Sequence, residues 1–268
     1  MSEQIHSKEC EECSSQNVFN QVLKFKVNYT LEELLKEIRK NPRVLLKAAI
    51  DAWNAEMISL LLKYAMIDLK QKEYSDVLVH LLKDERNLSP YIFDIACLLL
   101  NAGASTKRPA LHFAVANNHT LVVEELLKRG VNPNEKRDKT QDQTPLMIAG
   151  KKGYSEIIKI LCTYGARDNI LDKQGNNALT TTIHSLDCND TPSSLEDHPG
   201  HAKSIKLLCK YGSDLHVRPS YNEYATPIQS AKKHSHPTVV DLLRGIAEHQ
   251  NKKTNKKRRS REDNKQSA

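Results

Sequence analysis

Four residues that could share a metal ion stand near one another in the chain: His184, Cys188, His198 and His201. Imidazole nitrogen and thiolate sulfur are donors that hold zinc, and these four bracket a loop that could fold back and bring them together. The plainer reading is a solvated Ser/Pro/Asp-rich loop with a histidine at the start of the helix that follows. A second set, His6, Cys10 and Cys13, has metal-like spacing, but a single C-x-x-C with no second pair nearby is weak evidence for zinc. No metal and no cofactor are therefore expected. The chain contains no glycine-rich phosphate loop, no H-E-x-x-H and no G-x-S-x-G, and its other histidines and carboxylates are scattered. The expectation is a protein that is not an enzyme.

The densest charge lies at the C-terminal end. Lys252, Lys253, Lys256, Lys257, Arg258, Arg259 and Arg261 fall within ten residues and have no apolar stripe between them. Such a run suits nuclear localisation or contact with a polyanion, and equally a solvated tail; it does not suit a membrane-inserting helix. From Lys252 onward eight Lys/Arg and two Asp/Glu give +6, which leaves 7 − 6 = +1 for residues 1–251. A nearly neutral body argues against a broad nucleic-acid-binding face. No apolar run reaches the ~18 residues of a membrane span, and the first residues carry no signal-peptide core. Cys97, Cys162 and Cys209 lie in helical segments, where free cysteine behaves as a small buried hydrophobe. A soluble chain in a reducing compartment, cytoplasmic or nuclear, is expected.

Behind these residues stands a pattern that occurs twice. PALHFAVANNHTLVVEELLKRGVNPN (109–134) and TPLMIAGKKGYSEIIKILCTYGARDN (144–169) place leucine, alanine, the turn residue and glycine at matching offsets. Leu111 maps onto Leu146 and Gly130 onto Gly165, both 35 residues on, near the roughly 33-residue period of a turn followed by two short antiparallel helices. Thr144 suits a cap, with Pro145 at the first helical position, where its missing N–H costs nothing. Leu146 and Ala149 share one face. Ile157, Ile158, Leu161 and Cys162 recur at helical spacing, and Gly153 and Gly165 close the two helices. A unit of this kind cannot bury its apolar face alone and must stack on neighbours, so Leu161 is expected in the core.

The motifs T-P-L, L-H-x-A and L-L-x-x-G-A resemble those of the ankyrin repeat. The resemblance implies an all-α solenoid of five to six helix–turn–helix repeats with short β-hairpin tips and helical caps. The Thr/His pair usual in that family is never intact, because His112 faces Pro109 while Thr144 and Thr226 face Met147 and Gln229.

In chain order, residues 1–17 form a polar leader. Asn17 to Phe25 and a capping-box helix opening at Thr30 cap the array, and Pro42 stops the second of these. Leu45 to Asp68 is a degenerate repeat in which Trp53 and Ala65 replace glycines; Tyr74 to Ala104 is another, with extra residues around Asp84 to Pro90. Asp172 to Gly175 fits a hairpin turn and Ala178 to Ile183 a first helix, but the partner helix arrives only at Gly200. Leu179 to Gly212 spans 33 residues where Leu146 to Gly165 spans 19, so about 14 are inserted, over 187–199. The last repeat, 225–244, is polar outside, as a terminal cap should be. One elongated domain over 18–250 and a basic tail over 251–268 complete the organisation.

The resemblance also implies where a partner would bind: the hairpin tips and the exposed end of each first helix. Those positions are Lys107, Arg108 and Asn117; Gln141, Gln143, Lys151 and Lys152; Lys173, Asn176 and His184; and Lys233 with His234. The ladder is polar and mostly basic, so the expected function is a scaffold that holds an acidic protein surface, as a monomer. The charged C-terminus also resembles the export signals of ankyrin proteins that intracellular bacteria deliver into host cells, which would make it an effector. A nuclear factor that uses the tail on nucleic acid is the alternative.

Overall fold

The computed structural model describes residues 42–64, 67–83, 91–106, 109–137, 142–188, 198–215, 226–233 and 236–249. Helices α1 (Pro42–Asp51), α2 (Ala55–Tyr64), α3 (Val77–Lys83), α4 (Ile92–Asn101), α5 (Ala110–Ala116) and α6 (Thr120–Lys128) come first. They are followed by α7 (Pro145–Lys151), α8 (Ser155–Thr163), α9 (Ala178–His184), α10 (Pro199–Lys210) and α11 (Pro227–Lys233), and by α12 over 237–249. Odd-numbered helices open each repeat and even-numbered helices close it. The leader, the expected N-terminal cap helices and the basic tail lie outside the described residues.

The chain divides into two compact units, residues 1–122 and 123–268, with the division inside α6. In the first unit α1 packs on α2 and α3, α2 on α4, and α3 on α4 and α5. Arg43 and Lys47 of α1 reach Asp76, just ahead of α3, at 3.2 and 2.9 Å. In the second unit α7 packs on α8, α9 and α10, α8 on α10, and α9 on α10 and α11. First helices thus stack on first helices and second on second, as a repeat that cannot bury its own apolar face requires. Leu146, Ala149, Ile157, Ile158 and Leu161 are at most 1% exposed, which bears out the register of the central repeat.

One closure recurs. The amide three residues beyond the end of α1, α5 and α7 reaches back five residues: Asn54 to Ala49, His119 to Ala114 and Tyr154 to Ala149, at 2.9–3.1 Å. Ala104, Val131, Ala166 and Ser213 do the same after second helices. Such a closure needs a left-handed residue, supplied by Gly153 (φ +70°) and, where the sequence lacks glycine, by Trp53 (φ +53°) and Asn118 (φ +59°). The backbone keeps its path through the degenerate repeat although the residue type does not favour it.

Pro42 opens α1, a position where proline's fixed φ suits the first turn; the helix that it was expected to stop lies outside the described residues. The hairpin tips contain no strand among the described residues: Arg137 bonds Gln143 at 2.8 Å, and in the next tip Asp172 bonds Asn176 at 2.9 Å and Gly175 bonds Asp172 at 3.1 Å. The two ends of the expected insertion over 187–199 are helical: α9 continues as a 3-10 turn over Ser185–Cys188, and Pro199 begins α10.

Candidate functional site

The second unit builds its ladder from the ends of α7, α9 and α11 and from the tip over 172–176, and the exposed part of it is the end of α7 and that tip. At α7, Thr144 accepts a hydrogen bond from the Met147 amide at 3.3 Å, Pro145 occupies the first helical position, and the helix ends at Lys151 with Lys152 as its cap. Both lysines are exposed, and neither forms an ion pair among the described residues. A cation at a helix C-terminus is favoured by the backbone dipole by about 0.3–1 kcal/mol. That preference suffices for the pair as helix stabilisers and leaves their ammonium groups open to a partner. Behind them the His201 ring donates from Nε2 to the Lys151 carbonyl at 3.2 Å. It also packs on Gly153, where a Cβ would come within 2.8 Å of it. Burial holds the His201 pKa below the ordinary histidine value, the Lys151 carbonyl opposes that, and His198 adds to it.

The tip is built by Asp172. Its Oδ1 accepts the amides of Gln174 at 2.9 Å and Asn176 at 2.8 Å, which bends the chain so that Lys173 and Gln174 face solvent. Asn176 turns its side chain back toward Asp172 at 3.4 Å. Gln143 is half-buried, and its carbonyl closes the preceding tip. Consecutive loops are tied by Asn134, which donates to the Gly165 carbonyl at 3.0 Å and accepts the Arg167 amide at 2.8 Å.

Other ladder residues are held by the fold. His184 is half-buried and its Nε2 lies 2.6 Å from Ser230 Oγ on α11, so it joins consecutive first helices. Asn117, in the first unit, donates to the Leu82 carbonyl at 2.7 Å and joins α5 to α3. Lys233 ends α11. Lys107, Arg108, Gln141, His234 and the basic tail lie outside the described residues. Of the residues weighed as metal ligands, His198 and His201 meet edge to face at 5.6 Å and His184 turns to Ser230; His6, Cys10, Cys13 and the Cys188 side chain lie outside what is described. Cys97, Cys162 and Cys209 stand outside any disulfide. Burial pushes the last two up to about 11 and about 12, with Asp168 adding to both, so neither is a reactive thiolate at neutral pH.

Sequence reasoning passed over Asp168. Its carboxylate accepts the Leu179 amide at 3.1 Å and Asn177 Nδ2 at 3.0 Å, so it caps the start of α9 from a neighbouring loop. The signal was present: α9 opens Asn-Ala-Leu where α7 opens Thr-Pro-Leu. The missing proline therefore leaves an extra amide to satisfy.

The Ankyrin repeats family model matches residues 87–173 and 111–191. Glycerophosphocholine phosphodiesterase gde1 of Schizosaccharomyces pombe is 39% identical over 79 residues, 30% of this chain. The match spans 7% of that relative's length. Among solved structures, an ankyrin repeat domain from Acinetobacter baumannii AYE superposes with a TM-score of 0.59 at 19% identity, over 78% of this chain and 98% of that one. At that identity the likeness speaks for the fold.

Proposed function

This chain is an ankyrin-repeat protein, and we propose that the protein–protein interaction domain so identified works as a non-catalytic scaffold with the ladder of its second unit as the binding face. The observation that carries the reading is Lys151 and Lys152 at the end of α7, exposed and without an ion pair among the described residues, with Lys173 exposed on the next tip. Apolar packing does not account for them. A face of this sign attracts an acidic protein surface. His184 serves as a strut beneath the ladder, since its ring nitrogen is already bonded to Ser230 of α11.

Changing Lys151 and Lys152 together to glutamate is expected to slow association with a partner recovered from cell lysate by about tenfold or more. The loss should shrink as salt brings the Debye length below about 8 Å. Reversing charge at a helix C-terminus costs about 0.3–1 kcal/mol per residue, so the double alanine variant serves as the stability control. Unchanged partner recovery by the glutamate variant, with loss on mutating the second helices instead, would overturn this placement.

A second reading is supported by the separation of charge, +6 in the tail against +1 in residues 1–251. In it the tail carries the protein to the nucleus or onto nucleic acid, or serves its delivery into a host cell. Deleting 252–268 is expected to abolish nuclear accumulation and salt-sensitive retention on heparin while leaving helical content unchanged. Retention that survives the deletion would remove the reading.

A further inference from the structure

The second helices of the last two repeats, α10 and α12, flank an open trench of about 720 Å³ that none of the ladder lysines lines. Its floor is apolar, made by Cys209 of α10 and by Leu242 and Ile246 of α12. Lys206 and Lys210, one turn apart on α10, stand exposed on one rim. On the other stand His249 and Asp241, the latter paired with Arg244 at 3.8 Å, so the trench's excess positive charge lies on the two lysines.

Gly245 sits between Leu242 and Ile246 in the interior of α12 and lines the same trench. Glycine inside a helix costs about 1 kcal/mol against alanine. Its backbone is not left-handed, and a Cβ there would meet nothing within 4 Å. Nothing described within the chain requires the missing side chain, whereas an occupant seated on α12 would. Glycine lets a second helix approach closely, and a groove flanked by two helices is shaped to take a third.

We infer that this trench docks an acidic amphipathic helix of a partner protein, with its apolar stripe on Leu242 and Ile246 and its carboxylates on Lys206 and Lys210. Charge decides the occupant. The chain's own tail, with seven basic residues in Lys252–Arg261, would be repelled by the rim. An acidic helix gains both the apolar contact and two desolvated ion pairs. The surface is separate from the lysine ladder, so each can fail without the other.

The test uses the full chain and two fluorescent peptides of about 18 residues, five helical turns. One is an amphipathic leucine/glutamate sequence and the other its leucine/lysine counterpart. The leucine/glutamate peptide should bind, and Gly245→Leu, which fills the trench, should weaken it at least tenfold without lowering the melting temperature. Lys206→Glu with Lys210→Glu should do the same, and Lys151→Glu with Lys152→Glu should not. Equal binding of both peptides, or indifference to Gly245→Leu, would overturn the inference. So would a dimer in sedimentation that Gly245→Leu disperses, or movement of the Leu242 and Ile246 amide signals on deleting 252–268. Those outcomes would assign the trench to a second copy or to the tail.

Discussion

Asp168 stands three residues after Gly165, at the offset where Pro133 and Leu215 follow Gly130 and Gly212. A carboxylate thus occupies a place that neighbouring repeats fill with apolar side chains. Burial raises its pKa to about 6, with Asp214 adding to the rise, although hydrogen bonds from Leu179 and Ala178 pull the other way. Because the folded value lies above the ordinary 3.8, the protonated acid favours the folded state. Its contribution is complete below about pH 3.8 and is lost as pH rises through about 6. A shift of this size sets a ceiling of about 3 kcal/mol, at roughly 1.4 kcal/mol per unit. Asp168→Asn keeps an acceptor for the α9 amide without the charge. The melting temperature of the wild type relative to this variant is expected to fall as pH rises from about 4 to about 6, and to level off above that. The comparison is needed because His119 and His201, held low by burial, lose stability in the opposite direction as pH falls. A constant difference across the range would show that Asp168 stays ionised in the folded protein.

At the scale of elements, the stack depends on how closely first helices approach. Gly150 lies in the last turn of α7, facing α9. A Cβ there would overlap Thr182 Oγ1 and meet the Ala178 carbonyl at 3.1 Å. Two effects compete in Gly150→Ala: alanine gains about 1 kcal/mol of helix propensity, and the overlap costs about 1–3 kcal/mol. The overlap should win, because Thr182 is fully buried and its hydroxyl is committed to the Ala178 carbonyl at 2.7 Å. The variant is expected to lose up to about 2 kcal/mol in urea unfolding. Adding Thr182→Ala should recover most of that loss. A stabilised Gly150→Ala would mean that α7 and α9 are farther apart than the structure has them. The same helix shows how a polar sequence can sit in a core. Asn177 and Thr180 cap each other, with Thr180 N to Asn177 Oδ1 and Asn177 N to Thr180 Oγ1 both at 2.8 Å. The Thr181 hydroxyl bonds the carbonyl four residues back at 2.8 Å.

Across the whole molecule, each described repeat is the same local device, and that is why so much of it was legible from the sequence. Helix starts at Thr144 and Asn177, the left-handed closures and the buried spacing of Ile157, Ile158 and Leu161 depend on residues within one or two turns. A single sequence therefore fixed the two-helix repeat, its register and the absence of a catalytic motif, and it separated a nearly neutral body from a basic tail. Only the tertiary structure decided which polar residues remain available. Asn117 bonds Leu82 from 35 residues away, His184 meets Ser230 across 46, and His201 reaches the Lys151 carbonyl across 50. Asp168 caps a helix eleven residues on, and the trench forms because Gly245 and Cys209 come to face one opening. These relations follow from which faces stacking turns toward each other, a property of packed neighbours that no offset within one repeat records.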